Sequence, residues 1–240
     1  MERRMEPEPG QEPMPPEADG PASLRRTFEE QLQTAKDDVL RLGGMVEGQL
    51  QRAGQALIER DVELADNVRW ADAEVNELQR QINLGIASVI ARQGPMARDL
   101  RELLSLYHAA AELERMGDYA TNIAKLAQQL ASEPEMPLFH QIPRMEELCR
   151  QQLRAAMRAL VDVSEAEARA VCAGDDEIDH LYNSVYEDAL TLMEGSPERA
   201  RQATHMLFAA HHLERLGDRV TNIGEDVVFL ATGQIEDLNP

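Results

Sequence analysis

Leu113-Glu114-Arg115-Met116-Gly117-Asp118-Tyr119-Ala120-Thr121-Asn122-Ile123 returns one hundred positions later as Leu213-Glu214-Arg215-Leu216-Gly217-Asp218-Arg219-Val220-Thr221-Asn222-Ile223. Both copies fit the frame Leu-Glu-Arg-x-Gly-Asp-x-x-Thr-Asn-Ile. A repeat of that length reads as duplication of a supersecondary unit, so the chain divides into two similar halves. In each copy Glu, Asp and Asn stand at i, i+4 and i+8, and on a helix those positions climb one face. The apolar stripe around the first copy runs through Leu106, Ala110, Leu113, Gly117, Ala120 and Ala124. At about 100° per residue Glu114 and Asp118 fall beside that stripe and border the core.

Working outward, three- and four-residue spacing of apolar positions predicts long helices. The first covers Arg26 to Arg60, the second Val62 to Arg92 and the third Met96 to Ala131. In the second half they cover Arg144 to Ala173, Asp176 to Glu194 and Pro197 to Thr232. Asp61 and Ser196 are predicted N-caps, Pro197 a first helical residue and Gly233 a C-cap. Gly94-Pro95 breaks the chain, with Pro95 suited to open the next helix. Gly43-Gly44 interrupts the first helix at a cost in intrinsic stability, and tertiary packing is expected to carry it through. The fold class is all-α, two tandem antiparallel three-helix bundles made of six long helices. Residues 1–22, rich in Pro and Glu, read as a disordered tail. Residues 23–131 form the first bundle, 132–143 a proline-bearing linker and 144–240 the second bundle.

With 240 residues and a formal charge of -20, the chain argues against nucleic acid as a partner and favours cations or basic protein surfaces. No apolar run approaches the ~20 residues of a membrane span, and the N-terminus lacks the apolar stretch of a signal peptide. A soluble, cytoplasmic protein is expected. Cys149 and Cys172, placed on one helix roughly 34 Å apart, are expected to be unpaired thiols in a reducing compartment.

Glu114 with Asp118, and Glu214 with Asp218, are like charges one helical turn apart, mildly destabilising in a bare helix. Asp175 and Asp179 add further negative charge if they face the same groove. A hard divalent or trivalent ion would relieve this repulsion through an all-oxygen ligand set. The competing reading is a solvated acidic face neutralised by Arg115 and Arg215. Glu177-Ile178-Asp179-His180 matches the Glu-x-x-His of ferritin-like di-iron oxidases, but those sites need two such motifs and only this one is found. A structural helical protein without metal is the third alternative. No phosphate loop, nucleophile elbow or zinc spacing is present, so no catalytic residue is named.

Three blocks resemble the PhoU family of phosphate-uptake regulators: Ala91-Arg92-Gln93-Gly94-Pro95-Met96-Ala97-Arg98-Asp99-Leu100-Arg101 and the two Glu-Arg-x-Gly-Asp-x-x-x-Asn-Ile phrases. Met45 to Leu50 and Ala53 to Asp61 are similar to the family's early segment, and the likeness runs from about Leu24 to Leu238. The resemblance implies a non-enzymatic, negative regulator that acts in plentiful phosphate with the ATPase subunit of the phosphate ABC transporter and with the phosphate sensor histidine kinase. It reaches the membrane only through those partners. The resemblance also implies iron or zinc clusters, and the all-oxygen ligand set adds manganese or magnesium as candidates. Their ligands would be Glu114, Asp118, Asp72 and Asn76 in the first half, and Glu214, Asp218, Asp175 and Asp179 in the second. Asn76 stands where a second Asp is often found, and Lys125 replaces the acid present at Glu225. Acidic faces bridged by metal would also give a homodimer.

Overall fold

The computed structural model describes residues 21–134 and 139–239, with side chains from Arg25 onward. Residues 1–20, most of the segment read as a tail, and the middle of the linker lie outside the described residues. Among the described residues the regular elements are all helical: α1 (Pro21–Glu59), α2 (Val62–Gln93), α3 (Ala97–Ala131), α4 (Gln141–Asp162), α5 (Glu165–Ala173), α6 (Asp176–Met193) and α7 (Pro197–Thr232). They make six rods, three per half, because α5 and α6 together form one broken rod. Pro21 and Ala22 already belong to α1, and α4 begins inside the stretch assigned to the linker. No described helix is long and apolar enough to cross a membrane.

The caps follow the local chemistry. Asp61 accepts the Leu64 N–H at 2.9 Å, Ser196 accepts that of Arg199 at 3.3 Å with Pro197 next to it, and Gly233 closes α7 at φ 76°. Pro95, by contrast, lies in the turn, and α3 starts after Met96. The fourth predicted helix is corrected. It does not run through to Ala173 but ends at Asp162, where Val163 turns left-handed at φ 51° and Ser164 caps α5. Val163-Ser164 corresponds to Arg60-Asp61, where Arg60 is left-handed at φ 57°. The Gly174-Asp175 break therefore falls inside the second rod of its half, where α2 is continuous. Cys149 and Cys172 consequently sit on different helices, both buried and unpaired.

The two halves share one apolar core that extends from Phe28 to Val228. Its largest fully buried side chains include Leu42, Leu50, Leu113 and Met116, each contributing about 1.5–3 kcal/mol of burial. The ring α1–α3–α7–α4 forms the centre; α2 flanks it on one side and the α5/α6 rod on the other. The seam between halves is α3 against α7 and α1 against α4, and it obeys a pseudo-two-fold. A Cβ on Gly43 would lie 3.1 Å from Met157 Cε, and one on Gly54 2.7 Å from Glu146 Cγ. Gly43 and Glu146 are equivalent positions, as are Gly54 and Met157. Close packing on α4 thus carries α1 without interruption through Gly43-Gly44.

Candidate functional site

The repeated phrase lies on α3 and on α7, and each copy faces the second rod of its own half. Gly117 lets α3 settle against α1 and α2, since a Cβ there would come within 3.1 Å of Gln49 Oε1 and 3.3 Å of Val75 Cγ1. That approach groups Asp72 and Asn76 on α2 with Glu114 and Asp118 on α3. Asp72 accepts the Thr121 hydroxyl at 3.1 Å and the Asn76 amide at 3.2 Å. Burial raises the pKa of Glu114, and the charges of Asp118 and Asp72 add to it. Asp118 is raised by burial first and then by Asp72. Among the described residues no guanidinium ties this rung off. Arg115 reaches back to Glu112 at 3.0 Å, and Lys125 donates to Asn122 at 2.9 Å.

The second rung is more tightly held. The chain break at Gly174 turns Asp175 out of its own helix, where it caps nothing, and into the α6/α7 contact. There it is 1% exposed, Oδ1 has no hydrogen-bond partner, and Oδ2 accepts the Asn239 amide at 2.8 Å. Gly217 makes room for it, because a Cβ at that position would lie 2.5 Å from Asp175 Oδ1. Burial, followed by the charges of Asp179 and Asp218, pushes Asp175 up to about 6. Glu214 rises to about 7, by burial and then Asp218 and Asp179. Asp179 is raised by burial and Asp218. Arginine neutralises this rung weakly: Arg215 Nε and Arg219 Nη2 stand 3.7 and 4.0 Å from Asp218 Oδ2.

The eight predicted ligands are thus brought together four by four. As placed, no three His, Cys, Asp or Glu side chains among the described residues converge on a common point as a closed metal site would require. The chemistry of the second rung nonetheless fits a hard cation: four carboxylates, mutual repulsion and an orphaned buried oxygen. The first fits less well, since an amide replaces one carboxylate and Asp72 is already committed to Thr121 and Asn76. The Glu-x-x-His of α6 does not join its rung. Glu177 pairs with Arg144 at 2.9 Å, and His180 Nδ1 turns to the Asp176 carbonyl at 2.6 Å.

Sequence reasoning missed the residues of the α3/α7 seam. Glu112, 1% exposed, meets Arg115 at 3.0 Å, Arg219 at 3.3 Å and the Asn222 amide at 3.2 Å. His108 Nδ1 lies 2.6 Å from Asp226 Oδ2, which raises the His108 pKa. At the equivalent point across the pseudo-two-fold, Tyr119 stacks on His212 with ring centroids 5.8 Å apart. Burial drives His212 down to about 4 and so keeps it neutral there. The signal was present where the two copies differ: Tyr119 against Arg219, and Glu112 against His212.

A duplicated helical-bundle protein with one acidic rung per half is the class that this fold and these sites define. The PhoU domain model matches residues 39–127 and 142–227, and the chain belongs to the PhoU family. It is 32% identical over 216 residues to the phosphate-specific transport system accessory protein PhoU homolog of Clostridium acetobutylicum, covering 90% of this chain and 99% of the relative. The homolog of the same name from Caulobacter vibrioides strain NA1000 / CB15N is 35% identical over 210 residues, covering 87% and 91%. Among solved structures, PhoU from Pseudomonas aeruginosa superposes with a TM-score of 0.83 at 31% identity, covering 86% of this chain and all of that one. The phosphate transport system regulatory protein PhoU from Streptococcus pneumoniae gives 0.82 at 30% identity, covering 88% and 99%.

Proposed function

We propose that this chain is an accessory regulator of a phosphate-specific transport system, a cytoplasmic adaptor without catalytic activity of its own. The observation that carries this reading is the pair of acidic rungs built from the repeated phrase. They occur in a chain that aligns over about nine-tenths of its length with phosphate-transport accessory proteins. Its helical faces dock on the transporter's ATPase subunit and on the sensor histidine kinase, holding uptake and signalling down while phosphate is plentiful. Asp175, Asp179, Glu214 and Asp218 hold a divalent or trivalent cation (iron, zinc, manganese or magnesium), and Asp72, Asn76, Glu114 and Asp118 hold a second more weakly. A bound cation supplies positive charge at a surface otherwise dominated by carboxylates, and it can bridge two copies of the chain into a homodimer. The chain's own contribution is to gather these acids beside Gly117 and Gly217, with Asp175 buried and most of the others partly so, where solvent screens their repulsion less than at an open surface.

Deleting the gene tests the regulatory role. A phosphate-starvation promoter should then fire in high phosphate, and a promoter that stays silent refutes it. Affinity capture from cells grown in high phosphate should retain the ATPase subunit and the kinase; recovery of neither removes the adaptor mechanism.

A further inference from the structure

We propose that residues 234–239 form a strap that competes with cations for the second rung, so that this rung loads only when the strap lifts. The inference rests on the cation-binding role proposed above.

Gly233 ends α7 in the left-handed conformation and sends the chain back along the bundle. Three anchors then follow within four residues. Glu236 makes a two-pronged contact with Arg169 of α5, each bond 2.9 Å. The Leu238 N–H donates to Glu225 Oε1 at 2.8 Å, and its side chain packs on the core. The Asn239 amide donates to Asp175 Oδ2 at 2.8 Å.

Asp175 is the most buried acid of the rung, and its other oxygen has no partner. A neutral N–H donor therefore holds one of the two oxygens this carboxylate could offer a cation, and relieves only part of the repulsion that a full positive charge would remove. Among the described residues no such contact reaches Asp72, whose carboxylate accepts only from Thr121 and Asn76. After α3 the chain leads to the carbonyls of Glu133 and Pro134, which accept from Arg60, and Pro134 also accepts from Gln202. Among the described residues the terminal segment thus latches the second rung alone.

The test uses the full chain with Mn2+ as the probe. Binding is followed by loss of the free-ion electron paramagnetic resonance signal, and hydrogen exchange is followed in a peptide spanning residues 234–239. Asn239→Ala and Glu236→Gln should each bind Mn2+ about fivefold more tightly than the parent, the factor one net hydrogen bond is worth. Adding Asp218→Asn should abolish that gain, and Mn2+ should speed exchange of the strap in the parent. Equal or weaker binding by Asn239→Ala overturns the strap and leaves the cation site standing, with the amide a bystander or a ligand. A fivefold gain that survives Asp218→Asn places the affected ion elsewhere and also overturns the proposal. An absence of binding in every variant removes the cation site itself, and the strap's role with it. Circular dichroism of each variant confirms that the helices remain.

Discussion

Replacing Asp218 with Asn should make the metal-free protein more stable while weakening its hold on cations. Asp218 is the largest charge acting on Glu214 and acts also on Asp175 and Asp179. Relieving three partly screened repulsions of about 0.5 kcal/mol each gains about 1.5 kcal/mol. Losing the loose contacts to Arg215 and Arg219 costs about 0.5 kcal/mol. The net gain of about 1 kcal/mol raises the Tm of a chain this long by about 2–4 °C. The gain must depend on pH. Glu214 and Asp175 titrate at about 7 and about 6 in the folded chain, above their ordinary 4.5 and 3.8. An acid raised by folding holds its proton more tightly in the native state. Its contribution to stability is whole below its ordinary pKa and is lost as pH climbs through the folded value. At pH 8 both acids are charged and the substitution relieves them; at pH 5 both are largely protonated, and the Asp179 repulsion that remains is about offset by the lost arginine contacts. Thermal unfolding followed at 222 nm in chelator, at pH 8 and pH 5, reads this directly. A variant less stable than the parent at pH 8, or one with the same gain at both pH values, would show that the four acids are not coupled as described. With Mn2+ at about one hundred times its Kd the parent should gain about 2.7 kcal/mol, and Asp218→Asn clearly less.

Gly217→Ala should destabilise by about 1–3 kcal/mol because the new methyl displaces Asp175, whereas Gly44→Ala, with open space around it, should stabilise by about 0.5–1 kcal/mol; urea unfolding separates the two signs. Val163→Gly should stabilise by about 1 kcal/mol by relieving a β-branched residue held at φ 51°, which the same urea series measures. Arg219→Ala strips one of the two guanidinium groups from a fully buried carboxylate and should cost about 2–3 kcal/mol; a loss below 0.5 kcal/mol in chemical denaturation would mean that Arg115 and His108 already suffice for Glu112.

The fold was legible because long amphipathic helices and an internal repeat are both local signals. Asp61, Ser196 and Gly233 cap where their side chains or backbone freedom require. The boundary at Val163-Ser164 was obscured because Val carries no turn signature, while the nearby Gly174 carries a strong one. The matching Arg60-Asp61 turn in the first half was the available clue. For the sites, residue type and helical phase were enough to group Asp72, Asn76, Glu114 and Asp118, and their four counterparts. The destination of Arg115 was not legible: its pull toward Glu112 and away from Glu114 depends on a carboxylate buried by the other half of the molecule. Nor was Asn239, which meets Asp175 only because α7 turns back at Gly233.

The seam has a history written into it. Contacts that repeat themselves under a half-turn are what two identical subunits share, so a single half, joined to a second copy of itself, would meet it through glycines placed like Gly43 and Gly54. Fusing the two copies into one chain released each from having to resemble the other. Glu112 could then acquire an arginine opposite while its twin became a histidine stacked on a tyrosine, a division of labour closed to any true homodimer.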